Sequence, residues 1–153
     1  MARREISSGL VLVRRMGGRH WFAAVRPQGK PEGVWALPKG LIAEGEKPAE
    51  TALREGFEET GVPGRIVSKL GDVRYVYTWR GERVFKIVSF YLARAGRGRI
   101  GELPDGMEVE VAEARWLPLV EAPLLLAYRG EREMAGRARD ALEGADSSGS
   151  NAI

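Results

Sequence analysis

Pro48-Ala-Glu-Thr-Ala-Leu-Arg-Glu-Gly-Phe-Glu-Glu-Thr60 reads as a helix with an unusual burden of charge. Pro48 suits a first helical turn and Gly61 follows the last residue, the punctuation of a helix start and stop. At about 100° per residue, Glu55, Glu58 and Glu59 fall in one sector, with Leu53 and Phe57 on the far side. This spacing predicts that Leu53 and Phe57 pack on a core while three carboxylates gather elsewhere. Like charges at these spacings cost some tenths of a kcal/mol per pair. Glu58 and Glu59 also sit at the helix end whose dipole disfavours anions. Local stability gives no reason for the arrangement. A divalent cation reverses the sign of the problem, since clustered carboxylate oxygens suit hard Mg²⁺ or Mn²⁺. Without a cation, the same three residues are a solvated acidic face.

Strands surround this helix. Residues 6–16 and 20–26 read as a hairpin joined at Gly17-Gly18. A loop follows from Pro27 to Gly33, then a short apolar stretch, Trp35-Ala-Leu37, stopped by Pro38. Further strands are expected at 65–79 and 83–94, divided by Arg80-Gly81, and at 107–117. A helical region from 119 to 143 is expected to break near Gly130, and residues 144–153 read as a flexible tail. The expectation is one α/β domain, residues 1–143, with a mixed sheet. A length of 153 residues fits that count.

Composition narrows the chemistry. The chain has no cysteine and one histidine, His20. Disulfides, thiol nucleophiles, cysteine-ligated metals and multi-histidine sites within the chain are therefore excluded. No apolar run approaches the roughly 20 residues of a membrane span, and the basic start, Met1 to Arg4, precedes no long apolar segment. A soluble, cytoplasmic domain is expected, with no membrane partner. The net charge of +3 rests on arginines scattered along the chain, so nucleic acid is not an expected partner.

The segment 40–62 resembles the Nudix box of the Nudix hydrolase superfamily. Gly40, Glu46, Arg54, Glu55, Glu58, Glu59, Gly61 and Val62 all stand at matching positions. The departure is Gly56, where the family prefers an aliphatic residue; a mid-helix Gly costs about 1 kcal/mol relative to Ala. The resemblance extends from about Leu10 to Ala122 and implies a Nudix fold, an α/β/α sandwich with a mixed sheet and a loop–helix–loop catalytic motif. It implies that Glu55, Glu58 and Glu59, with the carbonyl of Gly40, ligate Mg²⁺ or in its place Mn²⁺. Arg54 would orient carboxylates, with Glu46 or Glu55 as partner. Gly40 and Gly61 would make the turns flanking the helix.

Trp35-Ala-Leu-Pro-Lys39-Gly40 looks like the lead-in of Nudix proteins that act on dinucleoside polyphosphates, a form that other branches share. Lys39 is either a phosphate contact or a solvated loop charge, and Trp35 either core or stacking surface. Tyr75, Tyr77 and Trp79 alternate and share a strand face, able to stack a base or to pack on a helix. Lys86 lies in an apolar row with Val84, Val88, Phe90 and Leu92, to meet phosphate or to snorkel at the edge. Glu108 and Glu110 are expected on one strand face. By its distance from Trp116, Glu110 corresponds to the extra carboxylate that the dinucleoside polyphosphate group uses, as general base or metal ligand, unless it is a solvent-facing edge acid.

The implied activity is Mg²⁺-dependent hydrolysis of a nucleoside diphosphate linked to another moiety, with dinucleoside polyphosphates such as diadenosine tetraphosphate as the leading substrate. Nucleoside triphosphates and nucleotide sugars are the alternative. RNA 5′-ends are less favoured, because that bacterial branch usually carries Gln in place of Lys39. From another class, a nucleotide-binding module without catalysis is the competing reading. A second copy of the chain stays open as a partner.

Overall fold

The computed structural model describes the backbone of residues 2–151 and the side chains of residues 2–145; Met1 and residues 152–153, the end of the expected tail, lie outside the described residues. Six strands form one sheet: β1 (Ala2–Met16), β2 (Arg19–Pro27), β3 (Lys39–Leu41), β4 (Gly64–Trp79), β5 (Glu82–Ala95) and β6 (Val111–Pro118). The strand order is β4-β5-β1-β2-β6, with β3 on β1. The β1–β5 pair is parallel and the others antiparallel, which makes the sheet mixed. Helix α1 (Pro48–Thr60) lies on one face; α2 (Ala122–Leu125) and α3 (Arg129–Asn151) belong to the other. The architecture is the expected α/β/α sandwich.

Two-sided coverage explains the unbroken run Ser7–Val13, which is buried throughout. Leu10 and Leu12 join Ala52 and Val62 under α1, whereas Val11 and Val13 join Phe90, Met134 and Leu142 under α3. No helix among the described residues is long and apolar enough to cross a membrane.

Helix α1 has the expected bounds, with Gly61 as a left-handed cap at φ 82° whose N–H donates to the Phe57 carbonyl. Its buried face is a correction. Phe57 is 44% exposed and Leu53 only partly buried, while Thr51, Ala52, Gly56, Glu59 and Thr60 are buried. The reason is close approach. Small residues let α1 sit down on β1, where the Ser8 hydroxyl donates to the Pro48 carbonyl at 2.6 Å. A Cβ on Gly56 would lie 2.5 Å from Leu10 Cδ1. Gly56 therefore loses no packing, because Leu10 fills its space. Gly56→Leu is expected to destabilise by about 1–3 kcal/mol through overpacking. In a Leu10→Ala background the same change should cost less, and denaturant unfolding of the four-member cycle measures that coupling.

Two other expectations are corrected. Residues 107–109 form a 3-10 turn rather than the start of a strand, led by Gly106 at φ 88° and closed by Glu110 N–H on the Met107 carbonyl. Glu108 and Glu110 therefore do not share a strand face. The break between the last helices falls at residues 126–128, and Gly130 lies in the first turn of α3, where a Cβ would overlap the Val73 side chain. The α3 backbone is helical from Arg129 to Asn151.

Candidate active site

The loop before α1 and its middle turns are tied by one guanidinium. Arg54 donates Nε to Glu46 Oε2 at 2.8 Å and Nη2 to Glu46 Oε1 at 3.0 Å, a bidentate fork. Its Nη1 bridges Glu55 and Glu58, each at 3.1 Å. Thr51 Oγ1 also donates to Glu46 at 2.9 Å. The Arg54 fork holds the Glu46 carboxyl at a pKa of about 2, and these acids in turn raise the Arg54 pKa above its ordinary value. Both alternatives for the partner of Arg54, Glu46 and Glu55, are therefore realised together.

Glu59 turns inward from the same helix and is 8% exposed. One oxygen accepts the Lys39 N–H at 3.3 Å. Burial, followed by the hydrogen bond and charge of Glu55, pushes its carboxyl up to about 9. Two carboxyls sharing a confined site cannot both ionise without a counter-charge. Gly40 completes the cradle: a Cβ there would overlap the Glu55 carboxylate. Gly40 is thus needed for close approach and not for a turn, since it has no positive φ. Among the described residues no three acids are already drawn together around one point, and Arg54 Nη1 links Glu55 to Glu58 instead. The donors nonetheless fit a hard divalent ion: the carboxyl oxygens of Glu55 and Glu58, a buried Glu59 carboxyl whose charged form a cation would favour, and a cradle with no side chain.

Lys39 is not a solvated charge. Its Nζ lies 2.8 Å from Glu131 Oε2, and the other oxygen of Glu131 accepts the Leu37 N–H at 2.7 Å. Burial opposes the Lys39 charge, but Glu131 and then Glu59 outweigh it and raise its pKa. Glu131, 4% exposed in the first turn of α3, escaped the sequence reading because no local motif marks it. A cavity of about 220 Å³ collects Gly40, Lys39, Glu59, Lys86 and Glu110. Lys86 keeps its place in the apolar row, opposite Tyr75 and Glu5, and burial lowers its pKa.

A larger cleft of about 620 Å³ shares Lys39 and Glu131 with this region and is walled by Tyr75 and Tyr128, 41% and 42% exposed. The Tyr128 ring centre lies 5.7 Å from Lys39 Nζ, and nothing in its sequence context singles it out. Tyr77 is absent from this lining; its hydroxyl donates to Glu5. Trp79 is 52% exposed at the end of β4. Trp35, 8% exposed, belongs to the core under α3.

With this geometry in hand, a model of the NUDIX domain matches residues 3–137. A Mycobacterium tuberculosis relative named for a mutator role, MutT4, is 42% identical over 120 residues, covering 78% of this chain and 47% of that protein. An RNA pyrophosphohydrolase of Cereibacter sphaeroides is 49% identical over 59 residues, covering 39% of this chain and 35% of the relative. The chain thus spans about half the length, or less, of these curated relatives. Among solved structures, a C. elegans Ap4A hydrolase binary complex superposes with a TM-score of 0.71 at 23% identity, over 92% of this chain and 98% of that one. The NUDIX domain of Shewanella oneidensis NrtR complexed with ADP ribose gives 0.71 at 22% identity, over 91% and 88%.

Proposed function

The chain belongs to the Nudix family, and on that premise we propose that it is a Mg²⁺-dependent pyrophosphohydrolase whose preferred substrates are dinucleoside polyphosphates. The observation that carries this reading is the junction of the acid cluster with an aromatic cleft. Lys39 lines both the small cavity with Glu59 and the 620 Å³ cleft with Tyr75 and Tyr128. A long polyphosphate with a terminal base needs such a combination of charge and aromatic surface.

In this reading Glu55, Glu58, Glu59 and the Gly40 carbonyl hold the divalent ion. Bound there, it supplies charge neutralisation at phosphate oxygens and a more acidic water. Arg54 holds Glu55 and Glu58 in place from Nη1 and anchors itself on Glu46. Lys39 and Lys86 set positive charge beside the phosphates. Glu110, in the same cavity as Glu59, accepts the proton of the attacking water. Tyr75 and Tyr128 cover the base.

Chromatography of products formed with Mg²⁺ tests the reading. Diadenosine tetraphosphate should give ATP and AMP, faster than any single dNTP is cleaved. Faster turnover of dNTPs or nucleotide sugars would replace the substrate, and binding without cleavage would replace the activity. Tyr75→Ala should raise KM by about 5–30-fold with kcat little changed, as lost stacking of about 1–2 kcal/mol removes uniform binding. Tyr77→Ala should do less, because its hydroxyl is committed to Glu5.

A further inference from the structure

The arginines that look dispersed in sequence are partly collected by the sheet. On the face that carries α1, register sets three rows across β1, β5 and β4: Ala2–Arg83–Thr78, Arg4–Phe85–Val76 and Ile6–Ile87–Arg74. Nine side chains thus tile one surface, with three arginines, four larger apolar residues and no acid. Helix α1 meets the sheet at the next row, where Ser8 bonds Pro48. Beyond it Ile6, Val76 and Phe85 stay 55%, 48% and 38% exposed. A groove of about 580 Å³ runs over Arg4, Ile6, Arg74, Val76, Phe85 and Ile87; Glu5, Tyr75 and Lys86 also line it, although by strand alternation their side chains belong to the opposite face, where Glu5 accepts from the Tyr77 hydroxyl. It adjoins, through Arg4, Glu5 and Ile6, a second groove that reaches Leu41, next to Gly40.

We propose that this face binds single-stranded nucleic acid. The absence of an acid among these nine side chains suits a polyanion and opposes a second copy, since a two-fold contact of the face with itself would set arginines against arginines. Of the three arginines only Arg74 forms an ion pair among the described residues, with Asp72 at 3.6 Å, one row away. The apolar positions between the arginines decide the strandedness. A duplex offers phosphates but hides its bases, which would leave Ile6, Val76, Ile87 and Phe85 uncovered. A single strand places bases on them while its phosphates meet the guanidinium groups. Arg83 lies 5.6 Å from the Phe85 ring centre, a cation held beside a stacking surface. The surface lies outside the acid cluster and adds a binding function to the proposed hydrolysis.

The test is fluorescence anisotropy with a labelled single-stranded oligodeoxyadenylate of about a dozen nucleotides, in EDTA. Binding at low salt is expected, with a slope of log K against log salt of about −2 for three phosphate contacts. Arg4→Glu/Arg83→Glu should raise Kd at least about tenfold without changing hydrolysis of small nucleotides. Phe85→Ala should weaken binding and leave the slope unchanged. Should the double variant fail to fold by circular dichroism, Arg4→Gln and Arg83→Gln singly must each raise Kd. Absence of binding at low salt overturns the proposal, as does unchanged affinity in the variants. Equal competition by duplex DNA or polyglutamate would reduce the face to generic charge. Stronger retention on anionic vesicles would assign it to a membrane surface, and a concentration-dependent dimer abolished by Phe85→Ala would assign it to a second copy.

Discussion

Glu58→Gln is expected to lower kcat by at least about 10²-fold, or roughly 2.7 kcal/mol of transition-state stabilisation. The change keeps side-chain size and removes one anionic oxygen donor. Its structural cost is small, because the Glu58 carboxylate is 32% exposed and its hydrogen bond is to Arg54 Nη1, which a Gln carbonyl still accepts. Steady-state kinetics at saturating Mg²⁺, with circular dichroism as the control for folding, makes the comparison. Turnover near that of the parent protein would take Glu58 out of the ligand set.

Glu131→Ala should have the largest effect on stability, a loss of about 2–3 kcal/mol. Removing the carboxylate strands the buried Leu37 N–H and leaves Lys39 without its closest counter-charge. The loss is smaller than for a fully buried pair, because the Lys39 side chain is 24% exposed and water screens it in part. For a domain of this size, that loss lowers Tm by roughly 5–10 °C. Glu131→Gln keeps an acceptor for Leu37 and should cost less than half as much. KM should rise in both variants, as the 37–40 segment loses its fixed position beside the acid cluster. A Tm within about 1 °C of the parent for Glu131→Ala would show that α3 does not brace this segment.

Legibility of the fold followed the range of the interactions. The bounds of α1 were readable because Pro48 and Gly61 act within one turn of the helix, and the β4–β5 hairpin because Arg80-Gly81 turns the chain locally. Residues 107–110 misled because alternating Glu and Val imitate a strand, while Gly106 with its positive φ starts a turn. Phe57 misled because the helical wheel equates apolar with buried. In α1 the distance of approach decides burial instead, and Gly56 and Ala52 permit an approach that a Phe-led face would prevent.

The sequence by itself determined that a glutamate cluster lies on a capped helix, that Arg54 and Glu46 stand at fixed offsets from it, and that the chain resembles the Nudix family. All three follow from spacings within 23 residues, where helical geometry is nearly independent of context. Only the tertiary structure decided that Glu131 grips Leu37 from 94 residues away. The same holds for Tyr128 facing Tyr75 across a cleft, and for Arg4, Arg74 and Arg83 meeting on one face. Those placements depend on strand order, register and the docking of α3. These are set by the packing of two hydrophobic cores against one sheet, and no local spacing encodes them.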